Sequence, residues 1–318
     1  MTFTRRNLIA STIALTAFPG TAARAGSRVL KVGTSNTFGF AATFAAHGDD
    51  RDGDLRFEII PFAGGSPQII SALNAGELDI GELGEVGPVI AQSAGVDFKI
   101  IAATEPWGAG QALIVDPKSG IHSLADIKGK KISYTRGTNS HWVLLKALEK
   151  AGLQSSDVEH VFLPAGTNIQ AVLASGGIDA AVSIDTLLTA FEKAGCRRIV
   201  GGDEVGAENP LYYIASDAAI KSRSTDVAAF VTRLASHVAW SHGKPEERAA
   251  AVAALLRIDA DVALIAERKR PARLRQIGRE LIANNQRIVD VFLQQGLIPT
   301  RLDAALSFTD AFNPFIAS

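Results

Sequence analysis

Lys131-Ile132-Ser133-Tyr134-Thr135-Arg136-Gly137-Thr138-Asn139-Ser140-His141-Trp142 reads as a strand, a glycine turn and a helix start. Ile132 and Tyr134 alternate with polar neighbours, as in a strand with one buried face. Gly137 permits a sharp backbone turn. Thr138, Asn139 and Ser140 are each good N-cap residues, and Trp142-Val143-Leu144-Leu145 opens an apolar helix. Such a helix start presents unpaired backbone N–H groups and the positive end of the helix dipole. With hydroxyls, an amide and an imidazole gathered there, Gly137 to His141 is a candidate anion seat, and Arg136 can add a full charge. The same residues also serve an ordinary capped turn. A helix terminus contributes only about 0.3–1 kcal/mol, so a seat of this kind needs a second wall.

That wall can be sought at the other strand ends. Strands are expected over 28–33, 55–61, 78–81 and 98–104. They run into Thr34-Ser35-Asn36, Gly64-Gly65-Ser66, Gly84-Glu85 and Trp107 respectively, and helices follow the first three. Beyond the opening stretch, strands over 158–163, 180–183, 198–200 and 211–215 alternate with helices over 168–175 and 185–194. Strand, small-residue turn and helix at this spacing describe βα units on a mostly parallel sheet. From residue 225 the pattern becomes helical, with helices over 225–242, 246–257, 260–270 and 277–295.

The expected architecture is α/β with two lobes, each a mostly parallel sheet flanked by helices. Residues 26–113 plus 216–318 form lobe one and 114–215 lobe two, with hinge crossings near 112–115 and 212–215. Ligands bind beyond the carboxyl ends of strands in such sheets, so the polar turns would line one interlobe cleft. Singly, each turn is accounted for by turn chemistry alone. Trp107 can stack on a ligand or pack between lobes. Glu82 and Glu85 are placed to pair with Arg136 across the cleft or with an amine on a ligand.

With 47% hydrophobic and 20% charged residues, the 318-residue chain is globular rather than disordered. Its net charge of −1 gives no bulk basic character for nucleic-acid binding. Cys196 is the only cysteine, so no internal disulfide forms. The six histidines are scattered, without metalloprotease pairing, and neither a metal site nor a cofactor is expected. No nucleophile elbow is present and no catalytic residue is assigned. Asp49-Asp50-Arg51-Asp52-Gly53-Asp54 lacks the terminal glutamate of a calcium loop and reads as a polar turn. Arg268, Lys269, Arg270, Arg273, Arg275 and Arg279 read as a solvated basic face, or one that touches a membrane partner. At the N-terminus, Arg5 and Arg6 precede an apolar run over 8–18, and Ala23-Arg24-Ala25 offers a cleavage site. Residues 1–25 are therefore expected to be an export signal, of twin-arginine or general secretory type, and the product extracytoplasmic.

Four segments carry a family likeness. Ala72-Leu73-Asn74-Ala75-Gly76-Glu77-Leu78-Asp79-Ile80-Gly81 with Gly84-Glu85 and Pro88 is the first. Leu124-Ala125-Asp126-Ile127-Lys128-Gly129-Lys130-Lys131-Ile132 is the second, and Arg136-Gly137-Thr138-Asn139-Ser140-His141 the third. The last is Gln286-Arg287-Ile288-Val289-Asp290-Val291-Phe292 with Gly296-Leu297-Ile298-Pro299. In this order they resemble the signatures of periplasmic solute-binding proteins of ABC importers for aliphatic sulfonates, taurine and nitrate. The resemblance implies a type II periplasmic-binding fold. It also implies a small anionic ligand, an importer permease as partner, a monomer and a periplasmic location. Many members carry Trp-Asp/Glu-Pro where this chain has Ser183-Ile184-Asp185-Thr186-Leu187, so Asp185 is kept as a ligand contact while the aromatic cover is missing. A desulfinase of the same scaffold uses a cysteine nucleophile. Here Cys196 follows Gly195 at a helix end, on the side away from the strand ends.

Overall fold

The computed structural model describes residues 28–35, 39–164, 166–271 and 273–316, and within them the chain is α/β with two separate sheets. The expected export signal and Asn36 lie outside the described residues. The strands in chain order are β1 (Arg28–Ser35), β2 (Arg51–Asp52), β3 (Leu55–Phe62), β4 (Ile80–Leu83), β5 (Phe98–Thr104) and β6 (Gln111–Val115). They continue as β7 (Lys131–Ser133), β8 (Glu159–Val161), β9 (Ala180–Ile184), β10 (Arg197–Gly201), β11 (Tyr212–Ser216) and β12 (Leu274–Arg275). One sheet has the order β12-β5-β11-β4-β1-β3-β2 and the other β10-β6-β9-β7-β8.

Each sheet carries one interior strand of opposite direction. β1 pairs in parallel with β3 and β4, whereas β11 is antiparallel to both β4 and β5. β7 pairs in parallel with β8 and β9, whereas β6 is antiparallel to both β9 and β10. The two inverted strands are the first that the chain lays down after passing between sheets. A chain leaving one sheet at a cleft-facing strand end enters the next from its own cleft-facing end, so its first strand points away from the cleft. Residues 112–115 lie inside β6 and 212–215 inside β11, while the connections run through 105–110 and 202–211.

Both faces of each sheet are covered. Leu30, Phe57, Tyr213 and Phe230 belong to one apolar cluster on the seven-stranded sheet, and Ile69, Ile100, Tyr212 and Leu281 to the cluster on its other face. The five-stranded sheet packs Leu113, Ile132, Trp142 and Leu144 on one side and Ala112, Ile114, Leu188 and Phe191 on the other. The Arg279–Gln294 helix joins two of these clusters. Leu281 packs with the seven-stranded sheet, and Ile288, Val289 and Phe292 pack against Trp142 and its neighbours.

Sequence and structure differ locally where tertiary contacts decide. The long helix runs Asp217–Gly243, not from 225, and carries a kink at Arg223, whose φ is −140°. Arg223 there bonds Asp79, Asp226 and the Val29 carbonyl, which offsets the lost helical geometry. The acidic turn at 49–54 includes β2, which pairs with β3 across Gly53 in a left-handed conformation (φ 60°).

Candidate functional site

The opening turn is held by its own side chains. β7 ends at Ser133, Gly137 takes φ 72°, and the Asn139–Lys150 helix follows its N-cap, Thr138. The Thr135 N–H donates to Ser140 Oγ (3.0 Å), and Thr138 Oγ1 donates to the Thr135 carbonyl (2.7 Å). The Gly137 N–H donates to His141 Nδ1 (3.2 Å), which leaves the ring proton on Nε2. His141 is stacked on Tyr134 at 4.7 Å, and burial, then the Arg136 charge, pushes its pKa down to about 4. It is therefore a neutral fastener of the turn. Arg136 is exposed.

Asn139 is the residue of this turn that reaches the other sheet. Its Nδ2 donates to Asn209 Oδ1 (2.8 Å), and its Oδ1 accepts the Val86 N–H (3.2 Å). Gly84 lies directly against it, since a Cβ there would stand 2.6 Å from Asn139 Oδ1. The two walls thus touch at Gly84 and Asn139. Gly84→Ala is expected to cost about 1–3 kcal/mol of stability through this overlap. Urea unfolding checks it: in an Asn139→Ala background the same substitution should cost little, and an unchanged midpoint in the Gly84→Ala single variant would mean that the two residues do not press together.

The remaining strand-end residues lie on the side of the seven-stranded sheet. Thr34 is fully buried and donates from Oγ1 to Glu82 Oε1 (2.6 Å). Gly65 takes φ 61°, with Ser35 Oγ 3.9 Å from where its Cβ would be. The Gly64 N–H donates to Gln68 Oε1, and the Gly84 N–H to Ser66 Oγ (3.4 Å). Glu82 and Glu85 do not pair with Arg136. Glu85 accepts from Gln111 Nε2 (3.2 Å), and burial pushes its pKa up to about 7; burial raises Glu82 as well. Gly39 crosses directly above Glu82, where any Cβ would overlap the carboxylate.

Where the two sheets meet, Phe40, Thr104, Trp107, Asp185, Asn209 and Arg270 are among the residues enclosing a narrow cavity of about 10 Å³, room for about one water. Asp185 sits at the junction of β9 and the Asp185–Lys193 helix with φ 54°, an uncommon conformation for a residue with a side chain. Burial pushes its pKa up to about 6, opposed by the Arg270 charge. Arg270 Nη2 lies 3.0 Å from Asp185 Oδ1 and its Nε 3.4 Å from Glu267 Oε1. Its guanidinium stands 4.6 Å from the Trp107 ring centroid. Behind it, Arg248 is buried against Glu267 and Phe40 and donates to the Gly39 carbonyl (3.1 Å).

Arg270 corrects the reading of a solvated basic face. Its neighbours do point outward, with Arg268 on Glu246, Lys269 on Glu192 and Arg275 on Glu280. Arg270 is 7% exposed because the Ala260–Lys269 helix ends there, before Pro271, and the chain turns inward. The Arg-Pro pair after a helical pattern is the sequence signal that marks it. Arg248 and Asn209 carry no comparable signal.

The family model described as NMT1/THI5 like matches residues 51–248. A protein of Escherichia coli (strain K12) named aliphatic sulfonates-binding protein is 26% identical over 239 residues, which cover 74% of this chain and 74% of that protein. The solved periplasmic aliphatic sulphonate binding protein SsuA from Escherichia coli superposes with a TM-score of 0.80 at 25% identity, over 88% of this chain and 91% of that one. The alkanesulfonate-binding protein SsuA from Xanthomonas axonopodis pv. citri, bound to MOPS, superposes at 0.81 and 24% identity, over 88% and 98%.

Proposed function

Because the chain belongs to the NMT1/THI5-like family, we propose that it is the extracytoplasmic substrate-binding component of an ABC importer. Its ligand is a small organic anion, an aliphatic sulfonate. It acts as a soluble monomer in the periplasm and hands its ligand to a membrane permease. The lobes divide at the connections 105–110 and 202–211 rather than within β6 and β11, the chain pivots near these two inverted strands, and the ligand lies between the lobes. No helix among the described residues is long and apolar enough to cross a membrane.

One observation carries this reading: a buried cation, Arg270, faces the cavity between the sheets, backed by the Trp107 ring and opposed by Asp185 of the other lobe. A guanidinium matches the planar donor needs of an oxyanion, and the aromatic face suits an alkyl chain. Lys193–Asp259 and Lys269–Glu192 pairs lie on the same side and favour the closed arrangement. A receptor is supported over a thiol enzyme by Cys196, which is buried among Ala112, Leu188 and Phe191 with its pKa raised by burial.

A thermal-shift series with alkanesulfonates, taurine, nitrate and sulfate tests the assignment. A ligand at about 100 times its Kd stabilises by ~2.7 kcal/mol, and no shift with any sulfur oxyanion would sink it.

Asp185 supplies a second reading, an aminosulfonate such as taurine, and pH separates the two. Burial already raises Asp185 to about 6. A bound sulfonate adds negative charge and raises it further, so binding takes up a proton and affinity for a plain alkanesulfonate rises as pH falls through that value. An ammonium on the ligand favours the carboxylate instead, and affinity for an aminosulfonate falls over the same range. Calorimetry across this window reads the sign directly. Asp185→Asn should flatten either profile, and a wild-type profile that is already flat for both ligands removes Asp185 from the site.

A further inference from the structure

Away from the cleft, His47, Asp49 and His237 converge. His47 is the last residue of the short Phe44–His47 helix, Asp49 lies two residues beyond it, and His237 comes from the Asp217–Gly243 helix. One ligand atom from each lies within 4.8 Å of the others. His47 Nδ1 is 2.7 Å and His237 Nδ1 2.6 Å from the same oxygen, Asp49 Oδ2. His237 is fully buried, whereas His47 reaches the surface under the Trp240 ring, stacked at 3.8 Å.

The hydrogen-bond chain behind His237 sets its proton. Thr43 Oγ1 donates its one proton to the Phe40 carbonyl (3.0 Å). The 2.7 Å contact between Thr43 Oγ1 and His237 Nε2 is then carried by an Nε2–H donating to the hydroxyl oxygen. In a neutral ring this leaves a lone pair on Nδ1, aimed at a carboxylate oxygen. Two lone pairs at that separation need a positive centre between them, a proton on Nδ1 or, once the contact widens, a metal ion. An imidazole whose outer N–H is held by a hydroxyl is how metal-ligating histidines are oriented.

We propose that His47 Nδ1, Asp49 Oδ2 and His237 Nδ1 form a binding site for a divalent cation of the zinc class. Two imidazoles with one carboxylate suit zinc, cobalt or nickel better than calcium or magnesium. Bonds of about 2.1 Å at tetrahedral angles put ligand atoms roughly 3.4 Å apart, so the contacts must widen by about 0.7 Å. A shift of the Asp49 carboxylate, which both contacts share, would widen them together, and the surface-reaching His47 ring leaves a fourth position toward solvent. Arg233 Nη1 lies 3.6 Å from Asp49 Oδ1, the oxygen that the imidazoles leave free. The cation would tie the segment after β1 to the long helix.

The untagged full chain, first dialysed against a chelator, is titrated with Zn²⁺ by calorimetry and with Co²⁺ by visible absorption. One saturable equivalent, a rise in Tm and d–d bands of low-symmetry Co²⁺ are expected. His47→Gln, at a surface-reaching position, should weaken Zn²⁺ at least tenfold. Thr43→Val, which removes only the outer partner of His237, should weaken it by about 10–100-fold. No saturable Zn²⁺ uptake by the wild type overturns the site. So does uptake that both variants leave within twofold, because the ion would then be held elsewhere.

Discussion

Arg270→Met is expected to lower affinity for an alkanesulfonate by about 10–100-fold, the range for a lost hydrogen bond to a charged group. Methionine keeps most of the apolar stem against Trp107, so the effect isolates the guanidinium. The substitution also leaves Asp185 and Glu267, both buried, without their shared cation. Removing one partner of a buried ion pair costs about 3–5 kcal/mol, because the other charge stays in the interior. Arg270→Met/Asp185→Asn should return a large part of that stability without returning affinity. Urea unfolding and calorimetric titration read the two effects separately. A folded variant that binds as the wild type does would place the ligand elsewhere in the cleft.

Trp142→Ala is expected to cost about 3–5 kcal/mol of stability, the range for truncating a buried tryptophan. Trp142 is 1% exposed, and its ring meets Phe292 of the Arg279–Gln294 helix at 6.3 Å in an edge-on contact. It anchors the helix whose first turn contains Asn139, so packing loss there also loosens the contact with Gly84 and Asn209. The indole N–H has no hydrogen-bond partner among the described residues. Trp142→Phe removes that unpaired donor along with part of the ring, and should cost clearly less than the alanine. The denaturant midpoints of the two variants check this order; an alanine loss below about 1 kcal/mol would mean the site collapses around the gap.

Much of the architecture is legible in the residues because strand ends and helix starts use a narrow chemistry. Gly65 and Gly137 take positive φ at the turns where sharp reversals are expected. The Asn139–Lys150 helix begins after Thr138, within the run of capping residues. The inverted strands β6 and β11 escape a local reading, because direction within a sheet depends on where the chain enters it. The roles inside the turn also rearrange. Ser140 and His141 look like ligand donors in sequence, yet in three dimensions they satisfy the turn itself, and Asn139 alone spans the walls. Arg270 hides for a different reason. Six cations within twelve residues average to a solvated face, and only the inward turn before Pro271 separates one of them from the rest.

The Arg279–Gln294 helix has a consequence for how the molecule comes apart. Its first turn is bonded into one core through Leu281 and its later turns into the other through Ile288, Val289 and Phe292. Melting either core strips apolar cover from half of this helix, and a half-stripped helix is a poor partner for the core that remains. The two sheets therefore share a single thermodynamic fate. Heat should disassemble them in one calorimetric peak whose van't Hoff and measured enthalpies agree, in the manner of a single domain rather than of two beads on a string. A fragment cut at the two crossings would lack the rod that closes its floor, however complete its own strands.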